Sequence, residues 1–271
     1  MFHLELFTSS IATGATTRAQ VNALFNQVVA KINNGFQVPM NLNYLHSVLA
    51  VGSGIVQVQP QTTAFLPAPY PNLNPNNRGT AFESPPRVWD FSASPLYMNP
   101  TDELDIFASQ NSGGNATMYV AVQFTDGVKA PVPQGQPFPG GSNSRGVMSI
   151  HWTATATLTA GAWSTVQPTL DAALPAGTYA LVGARVFSAS ALVFQMLPAM
   201  GPVWRPGGVA VQAYDQLDPV NQRMQAQLTY PGLGWGEWLR FRQNVPPQIN
   251  IFATAADTAE EGWYDLVYVG P

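Results

Sequence analysis

The stretches Leu104-Asp-Ile-Phe-Ala-Ser109 and Ile249-Asn-Ile-Phe-Ala-Thr254 match each other in register, 145 residues apart. Three of the six positions are identical and the other three are conservative exchanges. The same register continues without a gap from Met118–Phe124 to Trp263–Val269, where Tyr and Val recur at matching places. Because the match persists through two successive β-type segments, it indicates an internal repeat.

The match extends outward to the beginnings of the two copies. We expect Leu4 and Leu6 to correspond to Ile150 and Trp152, at a spacing of 146 residues. The stretch 128–146 between the copies reads VKAPVPQGQPFPGGSNSRG and is too rich in Pro, Gly and Ser to hold a strand ladder or a helix. The sequence therefore predicts a first domain over 1–127, a linker over 128–146 and a second domain over 147–271.

The composition favours a protein that assembles. Only 10% of the residues are charged, against about 25% in an average soluble domain. Cysteine is absent, which excludes disulfides, thiol nucleophiles and thiolate metal sites. The 24 Pro and 23 Gly are typical of many short strands joined by turns. We therefore expect an all-β fold whose uncharged surface is largely covered by neighbouring subunits.

One helix is predicted, at about 17–33 in the first domain. Thr17 and Gln20 have the spacing of a capping box, and Asn33-Asn34-Gly35 provides a stop. An apolar stripe runs along one face and consists of Val21, Leu24, Phe25, Val28, Val29 and Ile32. This helix is expected to pack on the sheet of its own domain, or else to face a neighbouring subunit or the inside of a shell.

Each copy has the length and turn density of an eight-stranded antiparallel β-sandwich such as a jelly roll. An immunoglobulin-like sandwich is the alternative, and hydrophobic periodicity does not separate the two. The predicted architecture is thus two tandem jelly rolls with one helix in the first.

A chain of this length with two such domains resembles the double jelly-roll major capsid proteins of tailless icosahedral phages and adenovirus. The resemblance is carried by Leu104–Phe124 against Ile249–Val269. It implies homotrimers that form pseudo-hexagonal tiles of an icosahedral shell and contact other capsid proteins such as a vertex protein. It also implies that residues 1–35 lie near the shell interior, over an internal membrane where one exists. Synthesis in the host cytoplasm and a location in the virion follow from the same resemblance.

No catalytic, cofactor-binding or metal-binding residue is assigned, and an enzyme is not expected. The three histidines, His3, His46 and His151, are too far apart in sequence to suggest a local motif. Acidic residues form two groups, which we interpret as solvated turn residues rather than a calcium site: Asp102, Glu103 and Asp105 in the first copy, and Asp257, Glu260, Glu261 and Asp265 in the second. Convergence of His46 with His151, or of the two acidic groups, would instead indicate an enzyme.

Charge and hydropathy bear on the partners. The net charge of −4 predicts no direct binding to nucleic acid. We read neither a signal peptide nor an apolar membrane span. The alternative function is a minor capsid or spike protein, or a carbohydrate-binding sandwich, which would need exposed coplanar aromatic rings. Trp204, Trp235 and Trp238 are the candidates for such a platform, although large aromatic residues also anchor cores and interfaces.

Overall fold

The structure is a computed structural model, and it describes residues 2–11, 19–23, 36–38, 40–52, 55–62, 88–91, 94–100, 102–110, 114–128, 133–139, 145–197, 205–210 and 237–271. Contacts within the chain divide it into two compact units, Met1–Gly127 and Val128–Pro271. Every named element in the described ranges is a β-strand. No helix long and apolar enough to cross a membrane occurs in these ranges. The expected all-β class is confirmed.

The first unit contains nine strands in the part that the structure describes. They are β1 (Phe2–Ile11), β2 (Ala19–Ala23), β3 (Phe36–Gln37), β4 (Tyr44–Gly52), β5 (Ile55–Thr62), β6 (Val88–Asp90), β7 (Leu96–Tyr97), β8 (Glu103–Gln110) and β9 (Ala116–Thr125). One row runs β1-β9-β4-β6 and the other β2-β8-β5, and all neighbouring pairs are antiparallel. A short β1–β2 pairing joins the rows, while β3 and β7 add to β8 and β4.

The described residues of the second unit form nine strands in two separate sheets. They are β10 (Met148–Ala154), β11 (Ala162–Val166), β12 (Thr169–Leu170), β13 (Thr178–Phe187), β14 (Ala191–Leu197), β15 (Gly207–Val209), β16 (Leu239–Arg242), β17 (Gln248–Ala253) and β18 (Glu260–Gly270). The larger sheet has the order β12-β10-β18-β13-β16, and the smaller has the order β11-β17-β14-β15.

The two units share one strand order. The row β1-β9-β4-β6 corresponds to β10-β18-β13-β16, and the row β2-β8-β5 corresponds to β11-β17-β14. In each unit the first and last strands are antiparallel neighbours in the middle of one sheet. An immunoglobulin sandwich instead divides its first and last strands between two sheets. The chain therefore contains two jelly rolls, as predicted, and the counterpart of β15 is not among the described residues.

The internal repeat falls on equivalent strands, but one part of the predicted alignment is wrong. The two matching pairs of segments, which are 145 residues apart, lie in β8 and β17 and in β9 and β18. Within that register Ala121 corresponds to Leu266, and these residues pair with Leu6 and Met148 respectively. Leu6 therefore corresponds to Met148 and not to Trp152. Because a shift of four residues keeps every side chain on the same face, the apolar pattern alone does not detect it.

The predicted helix over about 17–33 is corrected at its beginning. Residues Ala19–Ala23 form strand β2, which pairs with both β1 and β8. This short stretch reads Ala-Gln-Val-Asn-Ala and alternates apolar and polar residues with a period of two, so it also fits a strand. Pairing on both sides decides between the two patterns. The rest of the predicted helix, residues 24–33, lies outside the described residues.

The core of the second unit follows from strand alternation. Ile150 and Trp152 of β10 are buried, whereas His151 between them faces away from the core. Tyr264 of β18 and Phe194 of β14 come from the two sheets and are both fully buried in the same cluster as Trp152. Burial of each such side chain contributes about 1.5–3 kcal/mol before the loss of conformational entropy is counted.

The described part of the predicted linker packs on β18. The backbone N–H of Gln136 donates to the carbonyl of Tyr268 at 2.8 Å, and the rings of Phe138 and Tyr268 lie 5.9 Å apart. A Cβ atom added at Gly135 would approach the carbonyl oxygen of Arg145 and the side chain of Val267. Through these contacts residues 133–139 pack as part of the second unit.

Candidate functional site

A row of polar and aromatic side chains lies on the outer face of the larger sheet in the second unit. His151 is paired across the ladder with Trp263, and Ser149 with Asp265. Arg185 of β13 is paired with the same Trp263 from the other side. Residues directly opposite in a ladder share a face, so these five side chains meet on one surface. We call this set the outer-face network.

The outer-face network is built around a buried carboxylate. The side chain of Asp265 is 1% exposed, and its Oδ1 lies 2.8 Å from Nη2 of Arg185. The hydroxyl of Ser149 donates to the same oxygen. The guanidinium carbon of Arg185 is 5.8 Å from the ring centroid of Trp263, within cation–π range. The Arg185 charge is therefore already shared between a carboxylate and an indole ring.

His151 is held between two carboxylates at the end of this network. Its Nδ1 lies 2.5 Å from Oδ2 of Asp171, and its Nε2 lies 3.5 Å from Oε2 of Glu261. The ring also makes an edge contact with Trp263 at 5.0 Å. Since both ring nitrogens face acceptors and the Ser149 hydroxyl is directed at Asp265, the two residues do not form a nucleophile and base pair. The arrangement is suited to fixing the sheet face.

The acids of the second copy occupy three different places. Glu261 and Asp265 lie on the outer face, and Glu260 belongs to the opposite, inward row of β18. Asp257 lies in the turn before β18, where its Oδ2 accepts hydrogen bonds from the hydroxyls of Ser188 and Ser190. Burial raises the pKa of Asp257, but hydrogen bonds from the Thr258 N–H and the two serines outweigh it and lower the pKa below its usual value.

The histidines and acids of the first copy are distributed over separate strands. His3 in β1 is buried with its Nε2 3.6 Å from Oε2 of Glu5, and buried His46 in β4 meets the ring of Phe2 edge-on at 5.4 Å. Glu103 and Asp105 share one face of β8, with Asp102 just before the strand. Within the described ranges no three His, Asp or Glu side chains converge as a metal-ligand set.

The aromatic platform expected for a sugar-binding module is not supported by Trp238. This residue is partly buried against the core, and its ring lies 6.4 Å from that of Phe194. Trp204 and Trp235 lie outside the described residues. Among the described residues, Trp163 in β11 and Trp263 in β18 are partly exposed indoles within strands, and neither is one of the three candidates. Strand alternation places Trp263 outward, but its partners His151 and Arg185 depend on ladder registers that one sequence does not reveal.

Comparison with known proteins concerns the chain as a whole. No family model matches it, and no curated protein matches it. Among solved structures it is similar to the major capsid protein P2 from bacteriophage PM2, with 8% identity and a TM-score of 0.26 over 100% of both chains. It is also similar to the STIV MCP, with 10% identity and a TM-score of 0.26 over 98% of this chain and 97% of that one. A chain of Sulfolobus Turreted Icosahedral Virus has 10% identity, a TM-score of 0.24 and coverages of 98% and 92%. The jelly-roll assignment rests on the strand order described above, which is independent of these superpositions.

Proposed function

We propose that this chain is a structural virion protein, a major capsid protein that acts by self-assembly and not by catalysis. The observation that carries the proposal is the same jelly-roll strand order occurring twice in one chain. Two similar domains in a subunit let a threefold oligomer occupy a position with nearly sixfold surroundings. One gene product can then cover a closed surface through repeated contacts. We propose homotrimers that act as pseudo-hexagonal tiles of an icosahedral shell.

The surface composition supports extensive contacts between copies. Only 10% of the residues are charged, and the large apolar side chains that are exposed in the described ranges are Met40, Tyr97, Val128, Val147 and Val245. Obligate assemblies bury about 2,000 Å² or more per interface and deplete charge at its centre. A surface with few charges loses little hydration free energy when it is covered in this way.

Charged groups on the outer face of the second unit pair with one another. The Arg185 guanidinium is paired with Asp265, and the imidazole of His151 lies between Asp171 and Glu261. The net charge of −4 provides no general attraction for phosphate backbones. We therefore propose that the partners are further copies of the chain and other capsid proteins, such as a vertex protein. In this proposal the chain is made in the host cytoplasm, functions in the virion and needs no cofactor.

The proposal is tested by measuring the mass and shape of the purified chain. Light scattering over a range of concentrations is expected to give three times the chain mass of 29.1 kDa, or larger shells. Electron microscopy is expected to resolve six lobes per particle. The particles should persist in about 1 M salt, where the Debye length is about 3 Å, because contacts with few charges are little screened. A mass of 29.1 kDa at every concentration would contradict the proposal.

Copy number separates a tile protein from a minor capsid or spike protein. The main band in purified particles must be this chain if it forms the shell. A small number of copies at the vertices would instead indicate a spike. Binding to glycans by a chain that stays monomeric would indicate a carbohydrate-binding sandwich, and a titration followed by indole fluorescence would detect it.

A further inference from the structure

Glu260 is an acidic residue in the inward row of a core strand. It opens β18 opposite Ala154 of β10, and Gly262, Tyr264 and Leu266 follow it on the same face. Ala154, Tyr264 and Leu266 belong to the hydrophobic core of the second unit. The side chain of Glu260 therefore points into the sandwich at one of its ends. The residue is only 2% exposed.

In the described part of the unit, no hydrogen bond offsets the burial of the Glu260 carboxyl group. Neither Oε1 nor Oε2 has a hydrogen-bond partner there. A buried carboxylate in this situation is strongly disfavoured, whereas the protonated acid loses much less on burial.

The nearest charge makes ionisation still less favourable. Asp257 lies three residues earlier and is kept ionised by hydrogen bonds from Ser188, Ser190 and the Thr258 N–H. Burial, and then repulsion by Asp257, raise the pKa of Glu260 from 4.5 to about 7. The two carboxyl groups thus titrate far apart, one remaining negative while the other holds a proton.

The other charged groups of the neighbouring strands do not face Glu260. His151 and Glu261 lie on the outer face, and so does the Arg185–Asp265 pair. Glu260 and Asp257 are joined by no third acid or histidine among the described residues. Since Asp257 is already bound by two hydroxyls and an amide, the pair is a poor cation cage, and a proton is the ligand that this geometry fits.

We propose that this end of the second jelly roll is a proton-controlled latch, closed while Glu260 is protonated and loosened when Glu260 ionises. Loosening would admit water to the carboxylate by separating the turn before β18 from the β13–β14 turn, which carries Ser188 and Ser190. The inference goes beyond the capsid proposal and does not depend on it.

The sign of the pH dependence follows from the raised pKa. Below about pH 4.5 the carboxyl is protonated in both folded and unfolded chains, and the stabilisation is fully present. Between pH 4.5 and about 7 the unfolded chain loses the proton while the folded chain keeps it, so stability falls as the pH rises. Above about 7 the folded chain has lost the proton too, and the contribution is gone.

The test compares the full chain with Glu260→Gln and Glu260→Met, which carry no charge at any pH. Hydrogen exchange is measured for residues 254–262 and 188–193 in each protein at the same pH, so that intrinsic exchange rates cancel. We expect equal exchange near pH 4.5, and about tenfold or faster exchange in the unaltered chain at pH 8.5. The matched control is Glu237→Gln, at a partly exposed ion pair with Arg240, which is expected to follow the unaltered chain.

Infrared spectroscopy provides a second measurement that does not require the variants to be equally stable. The carbonyl stretch of a protonated carboxylic acid should be present at pH 6, disappear above about pH 7 and be absent from Glu260→Gln. A pH-independent difference between the unaltered chain and both variants would overturn the proposal, as would a carboxylate already ionised at pH 6. Stabilisation by calcium at pH 8.5 that is lost in Glu260→Gln would also overturn it, in favour of a cation site.

Discussion

Gly262 lies against the indole ring of Trp152, its ladder partner across β10 and β18. A Cβ atom at this position would be 2.0 Å from the carbonyl oxygen of Arg185 and 2.5 Å from Cζ2 of Trp152. We therefore predict that Gly262→Ala lowers the free energy of unfolding by about 1–3 kcal/mol, as overpacking does. Urea denaturation of both proteins measures this change in the free energy of unfolding. Gly114→Ala, where nothing lies within 4 Å of the added atom, is the control and should change little.

Removing the charge of Arg185 should be more costly than removing the pair to which it belongs. Arg185→Met leaves the carboxylate of Asp265 buried without its cation, a change that typically costs about 3–5 kcal/mol. The double variant Arg185→Met/Asp265→Leu removes both charges and should recover much of that loss. Thermal unfolding of the two proteins provides the comparison. Equal destabilisation by the single and double variants would show that the ion pair does not govern this face.

The loss of stability at acid pH should depend on Asp257. Because hydrogen bonds lower its pKa below 3.8 in the folded chain, it contributes stability that is present above that value and is lost as the pH falls through the folded pKa. Asp257→Asn should therefore be less stable than the unaltered chain at pH 7 and closer to it at about pH 2. Melting temperatures at the two pH values test this. A gap that widens in acid would refute it.

Equivalent core positions in the two jelly rolls should respond alike to truncation. Ile106 in β8 and Ile251 in β17 occupy matching places in the repeat, and both are fully buried. Ile→Ala at a buried site typically costs about 2–5 kcal/mol. We expect both Ile106→Ala and Ile251→Ala to fall in this range in denaturant titrations followed by circular dichroism. A near-neutral result at either site would contradict the equivalence.

The segment 133–139 should contribute to the stability of the second unit. Phe138→Ala removes a half-buried ring from Tyr268, and we expect a loss of about 1–2 kcal/mol. Phe138→Leu keeps most of the apolar contact and is the matched comparison, with a smaller loss. If both variants unfold like the unaltered chain, the segment does not stabilise the second unit and the prediction is wrong.

The features predicted from sequence are those with a strong periodic or repeated signal. The triplet Ile-Phe-Ala recurs in β8 and β17, and the Tyr and Val matches continue into the strand that follows. The duplicated sandwich could therefore be predicted from the sequence. The strand at Ala19–Ala23 could not be predicted because its five alternating residues fit the period of a strand and also the period of a helix. The alignment of the first strands was wrong by four residues because the shift leaves inward and outward positions unchanged.

The outer-face network could not be predicted from the sequence, for a different reason. His151, Arg185 and Trp263 lie on three strands that are far apart along the chain, and their meeting depends on ladder registers. A bulge between Leu181 and Gly183 shifts the β13–β18 register. A single sequence carries no signal for that irregularity. The separation of Glu260 from Glu261 and Asp265 likewise depends on where β18 begins, because strand alternation assigns the two faces from that residue onward.

In both jelly rolls the last strand of the unit lies between the first and the fourth, as β9 does between β1 and β4 and β18 between β10 and β13. During synthesis each sheet is consequently divided until its final strand has left the ribosome. Until then, two strands present unpaired edges that can pair with other nascent chains. A chain truncated before β18 would complete the first roll and leave the second open, so unfinished chains should be bound by chaperones or aggregate.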